Sequence, residues 1–216
     1  AHWNHFFSEA FLHRFFKTGK GEYGEGDQFI GVVVPNLRIV AKKHFDADFD
    51  TLRELLASPY HEYRLTALLA LTYRYAKLKD HTSRETCVNF YVSQVDAINN
   101  WDLVDLSCYK ILGHWLFDKD KQLLYDWAKE NHLWKQRIAI ISCMHFVKQG
   151  EFKDALAIAD LLQHHPHDLI HKAVGWILRE IGKEDEQLLV DYLTPRYKEM
   201  PRTMLRYAIE GNGKRF

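Results

Sequence analysis

The chain has few of the residues that interrupt helices. Five prolines occur in 216 residues, and none must break a long periodic run. Strand-forming runs are nearly absent. Val32-Val33-Val34 is the only β-branched stretch, and it ends at Pro35. No run approaches the roughly 18 uncharged apolar residues that a membrane helix needs. Only three cysteines are present, Cys87, Cys108 and Cys143. They are odd in number, widely separated and set among apolar helical residues, so they read as buried free thiols and not as a disulfide framework or zinc site. The start, Ala1-His2-Trp3-Asn4-His5, has no signal-peptide layout, and the expected compartment is the cytosol. Net charge is lacking too. With 29 basic and 29 acidic residues the formal balance is +0. That argues against a generally basic nucleic-acid coat, but not against a segregated basic face, because steering depends on local potential.

What the chain does have is apolar content and helix starts. Hydrophobic residues make up 47 %, enough for a sizeable core and too much for wholesale disorder. Ser58-Pro59 predicts a cap followed by proline at the first helical position, and Pro166 and Pro201 predict helix openings of the same kind. Thr82 and Asp118 are further expected caps.

Internal similarity predicts the architecture. Stretches beginning at Arg64, Val104, Arg137, His171 and Met204 recur at intervals of 33 to 40 residues. Each is a helix of small and apolar residues after an entry position that is often polar. Shorter amphipathic helices precede them, for example Asp48 to Ala57, Lys119 to Glu130 and Glu151 to Gln163. The reading is all-α: HEAT-like antiparallel helix pairs stacked into a solenoid, one domain over residues 1–216, with the second helices lining a concave wall. That wall is expected to be basic. Arg64, Arg137, Lys172 and Arg206 fall at matching or adjacent repeat positions, with Arg74, Lys77, Lys79, Lys148 and Arg179 on the same helices. Acidic residues such as Glu54, Asp126, Glu130, Asp154 and Asp160 favour the first helices.

One segment stands out chemically, Asn99-Asn100-Trp101-Asp102-Leu103-Val104-Asp105. It opens a helix with Asn100 as cap and Asp102 near the positive end of the dipole. Trp101 and Asp105 are four apart and so share one helix face. A carboxylate beside an indole can stabilise a cation held against the ring. Other candidates are weaker. His164, His165, His167 and His171 cluster, but no cysteine or carboxylate pattern accompanies them and His-Glu-x-x-His is absent, so a loop before a helix is expected and no metal. His61-Glu62 reads as local capping and packing, and Trp115, Trp127 and Trp134 as core. The Gly19 to Gly31 segment lacks Gly-Lys-Ser/Thr, so it reads as a turn between helices and not a phosphate loop.

Several blocks together resemble a known family: Gly24-Glu25-Gly26-Asp27-Gln28-Phe29-Ile30-Gly31-Val32, Val34-Pro35-Asn36-Leu37-Arg38, Ser58 to Arg64, Asn100 to Asp105, Leu133 to Ala139, His167 to Glu180 and Met200 to Ala208. From about Phe15 to Gly211 the chain resembles the DNA alkylation repair glycosylases built from HEAT-like repeats, the AlkD type. The resemblance implies hydrolysis of the N-glycosidic bond of N3- or N7-alkylated purines in duplex DNA, without a closed base pocket. It implies Asp105 and Trp101 as catalytic residues. It implies Arg137 and Trp176 as DNA contacts, to which the repeat register adds Lys172, Arg64 and Arg206. The family often has paired basic residues where this chain has Gln136-Arg137. An upstream aromatic also contacts DNA in the family, with Tyr23 and Phe29 as its possible counterparts here. Expected alongside are a monomer, duplex DNA as partner, no cofactor, no metal, no membrane and a cytoplasmic, nucleoid-associated location. The alternatives are a DNA-binding relative with weak or lost catalysis, and a HEAT-like protein-binding scaffold.

Overall fold

Several helix starts in this protein are made by a short polar side chain that takes up an otherwise unpaired backbone amide. Asp48 accepts from the Thr51 amide at 2.7 Å and Asp80 from the Ser83 amide at 2.8 Å, each satisfying one of the first-turn donors. The computed structural model describes residues 9–210. All regular structure among them is helical, apart from isolated bridge residues such as the parallel pair Gln28 and Tyr60. Contacts divide the chain into two compact units, one ending at Ser107 and one starting at Cys108.

The first unit contains α1 (Glu9–Phe16), α2 (Val34–Lys43), α3 (Phe49–Leu56), α4 (His61–Lys77), α5 (His81–Ser93) and the short α6 (Trp101–Asp105). Helix α4 is its centre, packed against α2, α3, α5 and α6. Leu65, Ala67, Leu68, Leu69, Ala70 and Leu71 are all buried, so α4 is apolar nearly all round, as a helix enclosed by others must be. The second unit begins with a π-helical turn, Tyr109–Gly113. It continues through α7 (His114–Leu116), α8 (Gln122–Lys129), α9 (Leu133–Val147), α10 (Lys153–Leu162), α11 (Asp168–Glu184), α12 (Glu186–Leu193) and α13 (Arg202–Ile209). Here α8 packs on α9, α10 on α8, α9 and α11, and α12 on α11, while α9, α11 and α13 pack one on the next in that order. This is the nearest-neighbour pattern of an α-solenoid. A close approach is made at Gly175, where an added Cβ would lie 2.5 Å from both the Met204 carbonyl and the Tyr207 Cβ; only glycine lets α11 and α13 meet there. Cys87, Cys108 and Cys143 are buried free thiols, as expected. No helix among the described residues is long and apolar enough to cross a membrane.

Several helix starts differ from the sequence expectation. After Ser58-Pro59 the helix waits until His61, because the Pro59 carbonyl and the His61 amide pair with Gln28 at 3.0 and 2.8 Å. Asp80, and not Thr82, caps α5. Helix α8 starts after Asp120, which accepts from the Gln122 amide, and not after Asp118. Pro166 does not take the first position of α11, which begins at Asp168 with His167 as its cap. In each case the competing cap is a neighbour with a better-placed acceptor or a tertiary contact that removes the first turn.

Candidate functional site

Helix α6 is only five residues long, too short to be stable by propensity, and its start is held from outside. The Asn100 side-chain oxygen accepts from the Trp101 amide at 2.9 Å, and its amide nitrogen donates to Asp27 at 3.3 Å. Asn99 also donates to Asp27, at 3.4 Å. Asp102 accepts from the Leu103 amide at 2.9 Å through one oxygen and from His61 Nε2 at 2.8 Å through the other. The His61 Nδ1 lies 3.4 Å from Asp27, and the Arg64 guanidinium completes the cluster 2.6 Å from Asp27 and 2.9 Å from the Asn99 oxygen. Asp27, His61, Arg64, Asn100 and Asp102 are all buried. Two carboxylates thus face two cations, which is how buried charge becomes tolerable. Glu62, one residue on, accepts from the Ile30 and Gly31 amides at 2.8 to 3.0 Å, tying the glycine-rich segment to α4. At Gly24 an added Cβ would sit 2.5 Å from the Phe16 carbonyl, so that segment is closely packed against the end of α1.

The charges interact strongly. Burial alone would push the His61 imidazole down, but the Asp102 charge and the hydrogen bonds to Asp102 and Asp27 outweigh it and raise its pKa to about 9. Burial would raise Asp27, but hydrogen bonds from His61 and Arg64 and the Arg64 charge hold its carboxyl below the usual carboxylate range. Both therefore stay charged near neutral pH.

An aromatic stack lies on this network. Phe16 stacks on Trp101 at 5.5 Å with 19° between the rings, and on Phe29 at 5.1 Å, while its ring lies 4.7 Å from the His61 ring. Trp101 packs against the Leu12, Phe16 and Phe29 cluster and is half-buried. Phe16 lies against one face of the indole, and Phe15 meets it edge-on at 5.7 Å. Asp105 ends the same short helix and is also half-buried. The four-residue spacing sets both side chains on one side of α6. An aromatic face and a carboxylate, anchored by a rigid buried network, can stabilise positive charge.

The remaining expected DNA contacts are distributed unevenly. Arg64 was expected on an exposed basic wall, but it is 7 % exposed and committed to Asp27 and Asn99. A buried cation must be paired, and that pairing removes it from direct phosphate contact. Arg137 is likewise buried, 4 % exposed, and donates to the Leu169 carbonyl at the start of α11. Gln136 beside it lies 2.9 Å from His165. Lys172 is partly exposed and pairs with Asp168 at 2.7 Å, a surface bridge of the kind worth under about 1 kcal/mol. Trp176 is half-buried and donates from its indole to Glu180 at 3.2 Å. Arg206 is exposed. Of the additional wall cations, Arg179 pairs with Glu210 at 2.8 Å, and Arg74 donates to the Ala47 carbonyl at 2.8 Å.

Two further expectations resolve in place. Phe29 is core, whereas Tyr23 is partly exposed. The histidines before α11 hold their own loop: His167 accepts from the Leu169 amide at 3.1 Å, and His171 Nε2 donates to the His165 carbonyl at 2.5 Å. Trp127 and Trp134 are core, while Trp115 is half-buried with Lys119 over its ring at 4.2 Å. The residues missed from sequence are Asp27 and the roles of His61 and Asp102. Their only sequence signal is a carboxylate next to an apolar run and a histidine inside a helix start. The partners lie 34 and 73 residues from Asp27.

Paired helices, with an indole and a carboxylate on one anchored turn, define a helical-repeat protein with a candidate site for positive charge. The chain belongs to the family described as DNA alkylation repair enzyme, which matches residues 8–211. A solved chain described as a predicted DNA alkylation repair enzyme from Enterococcus faecalis is similar in fold. Its TM-score is 0.72 at 14 % identity, covering 96 % of this chain and 95 % of that one. No curated protein matches.

Proposed function

We propose that this protein is a DNA glycosylase that hydrolyses the N-glycosidic bond of cationic N3- or N7-alkylated purines in duplex DNA. The observation that carries the reading is the Trp101–Asp105 pair on a helix whose start is locked by Asp27, His61 and Asp102. An alkylated purine of this kind already bears positive charge, so it departs as a neutral base and needs no proton from the enzyme. What the reaction needs is help for the oxocarbenium-like sugar. The Asp105 carboxylate supplies that and orients or deprotonates the attacking water. The Trp101 indole supports the cationic sugar and base. Sugar hydrolases, whose leaving group is poor, need a second carboxylic acid; here one carboxylate is enough. Water is the only co-substrate, and the enzyme acts as a monomer on duplex DNA.

Family membership supports DNA as the target. Lys172 and Arg206 carry the exposed phosphate contacts, and Trp176 offers its ring to the sugar and flanking strand. Arg137 acts from a buried position, anchoring α9 to α11 as well as adding positive potential. Arg64 acts through Asp27.

Two outcomes test the reading. Purified protein should release N7-methylguanine and N3-methyladenine from a methylated duplex and leave uracil and hypoxanthine in place, because no residue is set as general acid for a neutral leaving base. Efficient uracil release with none from methylated purines would reject it. Duplex affinity should fall steeply with salt, and Lys172→Ala and Arg206→Ala should each lower the slope of log K against log salt by about one. A flat salt response would instead fit a protein-binding scaffold.

A further inference from the structure

Trp176 is fixed at both its backbone and its ring. Gly175, the residue before it, brings α11 so close to α13 that an added Cβ would lie 2.5 Å from the Met204 carbonyl. The backbone that carries Trp176 therefore has little room to shift. The indole N–H donates to Glu180 Oε1 at 3.2 Å, one turn further along the same helix. The same oxygen accepts from Lys183 Nζ at 2.6 Å, and Arg179 Nε lies 3.9 Å from it. Arg179 also reaches Glu210, just past the end of α13, at 2.8 Å. An indole and two cations thus converge on one carboxylate oxygen, and the Glu180 side chain is only 17 % exposed. Lys172, Trp176, Arg179 and Lys183 share the part-exposed side of α11 with it. On a helix side that meets phosphates, a carboxylate opposes binding by charge alone. A partner for the indole explains its place there, because the tryptophan N–H is a donor only and needs an acceptor.

We infer that Glu180 is a positioning residue for Trp176. Its carboxylate holds the indole by the N–H in the orientation that meets the sugar and flanking strand. Lys183 and Arg179 neutralise that carboxylate against the phosphates. A ring ordered before DNA arrives leaves less ordering to be done on binding, and so raises affinity. The inference rests on the glycosylase reading, which sets Trp176 against DNA.

The test uses Glu180→Ala, Glu180→Gln, Trp176→Phe and the double variant Trp176→Phe/Glu180→Ala. Fluorescence anisotropy reads affinity for a duplex carrying a tetrahydrofuran abasic-site analogue, and single-turnover release of N7-methylguanine is measured in parallel. Glu180→Ala should lose about fivefold in affinity, the scale of one side chain that must be ordered on binding, and at least as much in release. Charge alone predicts the opposite sign, since removing a carboxylate beside phosphates strengthens binding. Glu180→Gln keeps an acceptor at the same length without the charge, and should bind and release within about twofold of the unmodified protein. Trp176→Phe keeps a ring but has no N–H, so adding Glu180→Ala to it should cost nothing further. In 1H–15N spectra of the free protein the Trp176 indole signal, identified by its absence in Trp176→Phe, should move in Glu180→Ala and stay in Glu180→Gln. Should Glu180→Ala fail to fold by circular dichroism, Glu180→Met keeps the length, removes the acceptor and carries the same expectations. Equal or tighter binding by the folded alanine variant, a loss as large in the Trp176→Phe background, or a glutamine variant as weak as alanine each overturns the positioning role; where the unmodified protein still releases the base, the glycosylase reading stands. If the unmodified protein binds but releases no base, the glycosylase reading fails, and a fivefold loss of affinity restored by glutamine still supports the role of Glu180. If it does not bind DNA, both fail.

Discussion

Asp105→Asn is expected to retain duplex affinity within about twofold and to lose base release by at least about 100-fold, the scale seen when one preorganised group aimed at developing charge is removed. The replacement is isosteric and sits at the last position of α6, so helix geometry and the packing of Trp101 should survive. What would disappear is the negative charge that the proposed mechanism sets against the sugar. Single-turnover release of N7-methylguanine measures the chemical step without product release. Near-normal release would remove Asp105 from the mechanism. Loss of binding as great as loss of release would mean that it acts on the ground state and not on the transition state.

His61→Leu is expected to destabilise the protein by about 3–5 kcal/mol, because it leaves Asp27 and Asp102 buried with one of their two cations gone. The same residue predicts a pH dependence. Its folded pKa is raised to about 9 from the ordinary 6.5. The stabilisation it brings is therefore fully present below about pH 6.5 and is lost as pH rises through about 9. Asp27 works in the opposite window: its pKa is depressed, so its contribution is present above the ordinary carboxylate range and is lost on acidification. Denaturant midpoints measured between pH 6 and 10 should fall through this range in the unmodified protein and lose most of that fall in His61→Leu. A flat profile in the unmodified protein would mean that His61 is neutral when folded. Because the network anchors α6, conditions that discharge His61 should also slow base release before the whole protein unfolds.

The helical architecture was legible because it is written locally. Apolar spacing, the 33- to 40-residue recurrence and the Asn100 cap all depend on residues within one or two turns. The pairing of Trp101 with Asp105 on one face was legible for the same reason, since four residues of helix set it. The basic wall was less so. Arg64 and Arg137 have the register of exposed cations, yet both are buried. Register gives the direction of a side chain from its helix, but not whether another segment covers it. For Arg64 the cover carries Asp27, a residue 37 positions earlier in a glycine-rich turn.

The sequence by itself thus determined the all-helical class, the repeat, the free thiols and the short helix that carries an indole and a carboxylate, because each follows from periodicity or capping within a short window. Tertiary structure alone decided that His61 is a buried imidazolium between Asp27 and Asp102, that Phe16 takes one face of Trp101, and that Phe11 and Phe15 stay at the surface while Phe29 does not. Those outcomes depend on which segments, distant in the chain, pack against each other. Whether a charge is paired or a ring is covered is settled by that packing, and no local pattern records it.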